Sequence, residues 1–356
     1  MRRRLFKAIL MVLVIGGCIG YLEPENFAAA GKNENYRRSN TKVGVASVPG
    51  RQSGATTVKL ERGERVTISN RFGRIAIMGW DKETIETTAT KEGTAETIQV
   101  KVAPDPSRGG LLRIAPDLEG QSIGREMGRS EKAIPPAFGG QPRGPKINLV
   151  VKLPRHVEIE SISVEAGSIE VSDVTGALNI RNENGDVKVE NVEKAVNVSV
   201  NHGSISVTNV GGDVHLFALI GALSARCVKG RVEASNTSGP ITIFNIGGDV
   251  DAETTAGSID LTSAVNSNGR YRLKTMDGKL SMSVSADAPG FTANLWSYRG
   301  EVRSDFPLAQ ESQAGTVHRL SGQHGNGQAQ IKLDSFGGNI SLNKIEPGAF
   351  EACGRF

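Results

Sequence analysis

Through the middle of the chain, apolar and polar residues alternate in short bursts that return every nine positions. The triplets Ile169-Glu170-Val171, Leu178-Asn179-Ile180, Val187-Lys188-Val189, Val196-Asn197-Val198, Ile205-Ser206-Val207 and Val214-His215-Leu216 follow one another at that interval. Period-two alternation with β-branched residues predicts short strands, each with its middle residue in solvent and its flanks in a core. Val207 is therefore expected inside and Ser206 outside. No helical period of 3.6 residues can be drawn through the pattern.

A longer period encloses the shorter one. Gly167, Gly185, Gly203, Gly221, Gly239 and Gly257 lie 18 residues apart without an insertion. At fixed offsets from them stand one column of Ile169, Val187, Ile205, Leu223, Ile241 and Ile259, and another of Val174, Val192, Val210, Val228 and Ile246. Self-similarity at a short fixed period predicts an all-β, single-chain β-solenoid, like a β-helix or roll, with 18-residue coils of two strands each. At least five coils fit between residues 166 and 264. Gly176, Gly212, Gly230 and Gly248 mark the half-period, with Lys194 the exception. A chain that turns every nine residues needs positions free of a Cβ penalty.

Asp173, Asn191, Asn209 and Asn245 form a further column in which Cys227 is the odd member. Stacked amides can hydrogen-bond along the solenoid axis, so this column reads as a structural ladder. A metal or catalytic carboxylate row is the poorer reading, because only Asp173 carries charge there.

The flanks are less regular. Residues 56–165 contain strand-like runs such as Arg65-Val66-Thr67-Ile68 and Asn148-Leu149-Val150-Val151, and read as a β-rich amino-terminal cap. Residues 117–145 concentrate Gly, Pro and charge within it, as a mobile insertion would. Residues 265–345 read as an irregular continuation that closes in a cap at 339–343, followed by a tail at 346–356. A solenoid end exposes strand edges, so capping is expected at both ends.

The amino terminus adds a location. Arg2, Arg3, Arg4 and Lys7 precede an apolar run at 8–15, the layout of an export signal occupying residues 1–17. Gly16-Gly17-Cys18 resembles a bacterial lipoprotein processing site, with Cys18 as the lipid attachment residue. Ala28-Ala29-Ala30 offers the alternative of cleavage after residue 30 and release. An uncleaved anchor ranks third, because the apolar stretch at 8–22 is shorter than the roughly 20 residues that span a bilayer. Residues 18–55 then form a polar tether.

Removing the first 17 residues removes four basic side chains, so the formal charge of +4 falls to zero. Residues 166–264 hold 12 acidic against 6 basic side chains. That balance argues against nucleic acid as a partner. Three cysteines are too few to staple an exported chain of this size, although a Cys227–Cys353 bridge is possible in an oxidising compartment.

Candidate chemistry is sparse. His318 and His324 fall in a predicted loop at 315–327 without a third metal ligand at recognisable spacing, while His215 is placed outward, His202 in a turn and His156 after Pro154. Gly212-Asp213 and Gly248-Asp249 resemble parts of calcium-binding nonapeptide rolls, but the Asp does not recur in each coil. No Gly-x-Ser-x-Gly or His-Glu-x-x-His motif is present. These readings give no catalytic residue, no metal and no cofactor. Trp296 and Tyr298 share a face if 292–298 is a strand, and with Trp80 in a turn they are candidates for a sugar-stacking surface, against the plainer reading that they cover an irregular coil.

The segment Gly73-Arg74-Ile75-Ala76-Ile77-Met78-Gly79-Trp80-Asp81, the later Val151-Lys152-Leu153-Pro154, the Gly-Ser-Ile-x-Val coils and the closing Phe336-Gly337-Gly338-Asn339-Ile340 together resemble the bacterial putative-adhesin domain family. The resemblance spans roughly residues 56–345 and rests on the order of elements. It implies an exported β-solenoid of the cell envelope, in a family without a defined biochemical role, and supplies no catalytic residues. The expected function is a non-enzymatic adhesin or surface interaction module, joined to the membrane by its lipid and to an envelope protein or glycan by a polar face. The alternatives are a carbohydrate-active or glycan-binding β-helix protein, and a periplasmic partner of envelope-stress or secretion machinery; the alternative location to the lipid-anchored envelope is periplasmic or secreted.

Overall fold

The computed structural model describes residues 55–60, 63–118, 144–310, 318–346 and 353. Cys18, the signal and tether at 1–54, most of the 117–145 insertion and most of the tail lie outside the described residues.

The alternating triplets fold as the strands they predict. Among the described residues the chain forms β1 (Ala55–Lys59), β2 (Arg65–Phe72), β3 (Ile75–Trp80), β4 (Thr84–Lys91), β5 (Thr97–Ile98), β6 (Val100–Pro104), β7 (Leu111–Pro116) and β8 (Ile147–Pro154). The regular coils follow as β9 (Glu158–Ala166), β10 (Ile169–Val174), β11 (Leu178–Asn184), β12 (Val187–Val192), β13 (Val196–His202), β14 (Ile205–Val210), β15 (Val214–Ile220), β16 (Leu223–Val228), β17 (Val232–Ser238), β18 (Ile241–Ile246), β19 (Val250–Ala256) and β20 (Ile259–Thr262). The remainder is β21 (Arg270–Asp277), β22 (Leu280–Ser285), β23 (Gly290–Ser297), β24 (Val302–Ser304), β25 (Ala309–Gln310), β26 (His318–Gly325), β27 (Ala329–Ser335) and β28 (Ile340–Ile345).

These strands build two facing sheets of parallel stacked coils, a β-solenoid. The first sheet runs β1-β4-β8-β3-β10-β12-β14-β16-β18-β20-β22-β28-β24, and the second runs β25-β26-β23-β27-β21-β19-β17-β15-β13-β11-β9-β2-β7-β6. Each 18-residue step in sequence is one step across a sheet, so Ile169 pairs with Val187, Val187 with Ile205, and Ile205 with Leu223. That whole column is buried, and so is the second column from Val174 to Ile246. Val207 is fully buried whereas Ser206 is partly exposed. Burying one such aliphatic side chain stabilises the fold by about 1.5–3 kcal/mol, and the coils repeat that gain along the axis.

The order of coils is sequential only in the middle. At one end the chain lays down β2 and β3, leaves, returns as β7 and β8 on their outer side, and then crosses to place β9 and β10 on their inner side. At the other end β27 and β28 slide between β21–β22 and β23–β24. The strand at 340–345 is therefore interior to the stack, and the expected cap at 339–343 is corrected: other strands close the ends instead. Antiparallel β4, β1 and β6 cap one end; at the other, antiparallel β26 and β25 cap the second sheet, and the three-residue β24, parallel to β28, ends the first. A parallel ladder left open would template further strands, and the short outermost strands β1, β6, β24 and β25 limit that growth.

Two corners hold the coils together. At the first, an added Cβ on Gly185 would collide with the carbonyl oxygen of Gly167, on Gly203 with that of Gly185, and on Gly221 with that of Gly203. The same collision chain continues through Gly239, Gly257, Gly278, Gly338 and Gly300, and begins at Gly73, so ten glycines stack where sequence periodicity displayed six. Inside this corner, side chains of the second sheet reach the glycine carbonyls: Asn182 Nδ2 donates to Gly167 O and Gly185 O at 2.8 and 2.9 Å, and Asn236 Nδ2 to Gly221 O and Gly239 O at 2.9 and 3.1 Å. Thr275 Oγ1 and Ser297 Oγ repeat the contact on Gly257 O and Gly338 O. These inward polar residues break the apolar rule of the strands, and the triplet pattern did not mark them.

The second corner is the predicted amide ladder. Asp173, Asn191, Asn209, Cys227 and Asn245 all have φ between 55° and 60°. Asn and Asp enter this left-handed region more readily than other side chains, which explains the column. Asn191 Nδ2 donates to Asp173 Oδ1 at 3.0 Å and Asn209 Nδ2 to Asn191 Oδ1 at 2.8 Å. The next rung is Cys227, which has no amide to give, and the buried Asn209 Oδ1 is left without a hydrogen-bond partner. Cys227 is instead disulfide-bonded to Cys353, and Asn245 Nδ2 lies 3.1 Å from Cys353 Sγ.

Two outcomes are expected. Gly203→Ala should destabilise the fold by ~3 kcal/mol in chemical denaturation, because backbone must move to admit the methyl group. Gly109→Ala, where an added Cβ meets nothing within 4 Å, should be close to silent; equal effects would refute the corner argument. In a Cys353→Ser background, Cys227→Asn should be more stable than Cys227→Ala by about 1–2 kcal/mol, since it restores both the amide donor and a residue suited to positive φ.

Candidate contact surface

The outward positions of the second sheet stack into rows as regular as the core. One row is Asn197, His215, Glu233, Asp251, Arg272 and Lys332; the row beside it is Ser199, Phe217, Ser235, Glu253, Lys274 and Asp334, ending on Trp296. Basic and acidic side chains meet along and across these strands. His215 Nδ1 and Glu233 Oε2 are 2.9 Å apart, Arg231 reaches Glu233 at 3.0 Å, Arg272 reaches Asp251 at 3.5 Å, and Lys274 reaches Glu253 at 2.6 Å. Each exposed pair is worth at most ~1 kcal/mol, so their main effect is to fix the lateral position of long side chains.

Apolar side chains gather on this side as well. Phe217, Leu219, Ile220, Met276, Tyr298 and Phe336 are six of the eight exposed large hydrophobic residues among those described; the other two, Met78 and Val150, belong to the first sheet. Trp296 lies in β23, half-buried, in register with Asp334 on one side and Arg319 on the other. Tyr298 follows that strand and stacks on Phe336, with centroids 4.9 Å apart and planes 15° from parallel. The Arg299 guanidinium sits 5.4 Å from the Phe336 centroid and 5.9 Å from that of Tyr298. Sequence reasoning named Trp296 and Tyr298 but missed Phe336, whose partnership depends on the out-of-order insertion of β27.

Other expected sites resolve differently. The 315–327 loop is corrected: of its described part, 318–327, all but the last two residues form strand β26, where His318 pairs with Ser297 and His324 with Phe291. The His324 ring packs 5.3 Å from Phe291 and 5.0 Å from Phe306, so it belongs to the end cap. Trp80 is also corrected, from a turn to the last residue of β3, with its Nε1 donating to Thr84 O at 2.8 Å. No group of three or more His, Cys, Asp or Glu able to hold a metal occurs among the described residues. No helix among them is long and apolar enough to cross a membrane.

The Gly-Asp pairs have a backbone task. Asp213 Oδ1 accepts the Arg231 N–H at 2.8 Å, and Asp249 Oδ1 accepts the Arg270 N–H at 2.9 Å, in each case from the next coil. Asp249 Oδ2 also accepts the Arg270 guanidinium at 2.9 and 3.0 Å. Burial by itself pushes the Asp249 carboxyl up, and the backbone bond, the side-chain bonds and the charge of Arg270, with that of Arg231, more than offset it and hold the group below its usual range.

A family model described as Toastrack DUF4097 matches residues 29–343. The chain belongs to that family. No curated protein matches it. Among solved structures, this Toastrack chain is similar to a putative cell adhesion protein from Clostridium sporogenes, 11% identical, covering 82% of this chain and 98% of the other with a TM-score of 0.21. A putative adhesin from Bacteroides fragilis is 14% identical, with 81% and 95% coverage and a TM-score of 0.28. A putative adhesin from Parabacteroides distasonis is 11% identical, with 82% and 97% coverage and a TM-score of 0.21.

The Asp249 arrangement sets an acid sensitivity. A carboxyl whose folded pKa lies below its unfolded one supplies stability that is present above about pH 4 and lost as pH falls through the lowered value. Asp249→Asn should cost about 1 kcal/mol at neutral pH and lose less stability than the parent on further acidification; identical pH profiles in thermal melts would contradict this.

Proposed function

We propose that this Toastrack protein is a non-enzymatic module of the bacterial cell envelope, exported, held at the membrane through lipid on Cys18, and making contacts through the outer face of its second sheet. The observation that carries the reading is the placing of large exposed apolar side chains in two groups on that side, Phe217, Leu219 and Ile220 along β15 and Met276, Tyr298 and Phe336 at the ends of β21, β23 and β27, among ordered ion pairs. Large exposed apolar groups set in a polar surround mark interaction sites more often than bare surface. Export is supported by the Cys227–Cys353 disulfide, a bond suited to oxidising compartments.

The face also argues for binding over turnover. Catalysis needs convergent groups in a site that excludes water. Here the depressions on the second sheet are open, and Glu233, Asp251 and Glu253 are each held by a basic partner. The contacted molecule is an envelope protein or a glycan.

Co-sedimentation with isolated envelope fractions tests the proposal. The parent chain is expected to pellet with them, and the triple variant Met276→Ser, Tyr298→Ser, Phe336→Ser to bind at least about tenfold more weakly, while Met78→Ser with Val150→Ser on the first sheet behaves as the parent. Binding indifferent to the second-sheet variant, or hydrolysis of polysaccharide, ester or peptide substrates, would overturn the reading. Mass spectrometry of the mature amino terminus decides the anchor: a lipidated Cys18 is expected, and an unmodified chain starting at Gly31 would mean release.

A further inference from the structure

We infer that the second sheet carries a carbohydrate site centred on Phe217, taking a neutral, hydroxyl-rich sugar ring; the inference deepens the contact-surface reading and rests on it. Phe217 stands 45% exposed in the regular part of the stack. Its in-register neighbours on the two flanking strands are Ser199 and Ser235. A phenyl ring between two small hydroxyl side chains gains little from its own row, yet it offers a flat apolar surface above the sheet. Phenyl faces of this kind accept the C–H face of a pyranose much as they accept another ring.

Beside that ring runs the row of Asn197, His215, Glu233 and Asp251, and together with Ser235 these residues line a shallow depression of about 340 Å³. That volume lies at the small end of the range for ligand sites. The row is ordered by its own contacts: His215 is fixed on Glu233 at 2.9 Å, and Asp251 is approached by Arg272 at 3.5 Å. Glu233 and Asp251 stand side by side at the middle of the row, with His215 and Arg272 on either side of them and a basic partner on each carboxylate, so the depression offers acceptors flanked by donors.

That balance selects the ligand. A phosphate or polyanion would lie against Glu233, Asp251 and Glu253, whereas a cation would meet Arg272 and carboxylates already paired with basic side chains. An apolar peptide would strip water from the charged row without returning hydrogen bonds to its remaining donors and acceptors, at a cost the single phenyl ring does not offset. Sugar hydroxyls each donate and accept, so a pyranose can satisfy both kinds of group while its C–H face covers Phe217. Asn197 and His215 are outward triplet positions in the sequence, but only the stacking of coils sets Phe217 beside the row of Asn197, His215 and Glu233 and in one depression with Asp251.

The test titrates the full chain with methyl glycosides of glucose, galactose, mannose and N-acetylglucosamine, followed by amide chemical shifts. The expected result is that at least one sugar shifts the amides of Asn197, His215, Phe217 and Ser235. Phe217→Ala and Asn197→Ala, both outward positions, should each weaken binding by at least about fivefold with the melting temperature unchanged. No response to any sugar, shifts confined to Tyr298 and Phe336, or an affinity untouched by both substitutions overturns the inference. Binding of a peptide array through Phe217 without a sugar response overturns it too, in favour of a protein partner. Envelope co-sedimentation that survives Phe217→Ala but is lost in the Met276, Tyr298, Phe336 variant would remove this site and leave the contact face standing; its absence in the parent chain would remove the face itself.

Discussion

Strand spacing at the glycine corner is the constraint on which the remaining structure depends. Parallel coils stack about 4.8 Å apart, and at this corner each backbone passes so close to the one before that a single Cβ would strike a carbonyl oxygen. Everything on either side inherits that register. The aliphatic columns align because the corners align, and Asn182, Asn236, Thr275 and Ser297 then find glycine carbonyls within hydrogen-bonding reach. A buried polar side chain is tolerable there because its donor is satisfied by an oxygen that close packing has removed from water.

The amide ladder at the opposite corner works by the same stacking but fails at one rung, and the failure is informative. Cys227 occupies a left-handed position that favours Asn, leaves Asn209 Oδ1 unpaired, and receives the chain's own Cys353. A local defect in side-chain hydrogen bonding has been exchanged for a covalent link 126 residues long in sequence. That link ties the carboxy-terminal segment to the centre of the stack, where no repeat requires it.

A solenoid with a saturated interior has little room for chemistry inside, so its surface properties reside in the outward rows. Among the described residues, the first sheet keeps Met78 and Val150 as large exposed apolar groups, while six stand on or just beyond strands of the second. The same in-register stacking that aligns the core lines up His215 with Glu233, Asp251 with Arg272 and Glu253 with Lys274, and so produces an ordered polar face from residues 18 to 21 apart. Order of this kind lowers the entropy lost when a ligand settles on the face.

Much of this was legible in the sequence because a repeat writes its contacts at fixed spacing. The 18-residue glycines, the Ile and Val columns, the inward place of Val207 and the Asn ladder all follow from local periodicity, since each coil touches mainly its neighbours. Tertiary structure decided what periodicity cannot encode. Gly73, Gly278, Gly338 and Gly300 join the glycine column from irregular segments, and β27 with β28 enters the stack between earlier coils. The strand that carries His318 and His324 becomes an end cap, and Tyr298 meets Phe336 only because of the inserted coil. The sequence by itself determined the repeating unit and its inside and outside, because those depend on near neighbours. The ends, the order of coils and the composition of the contact face depend on which distant segments close the stack, and that was settled only by the need to cover its open edges.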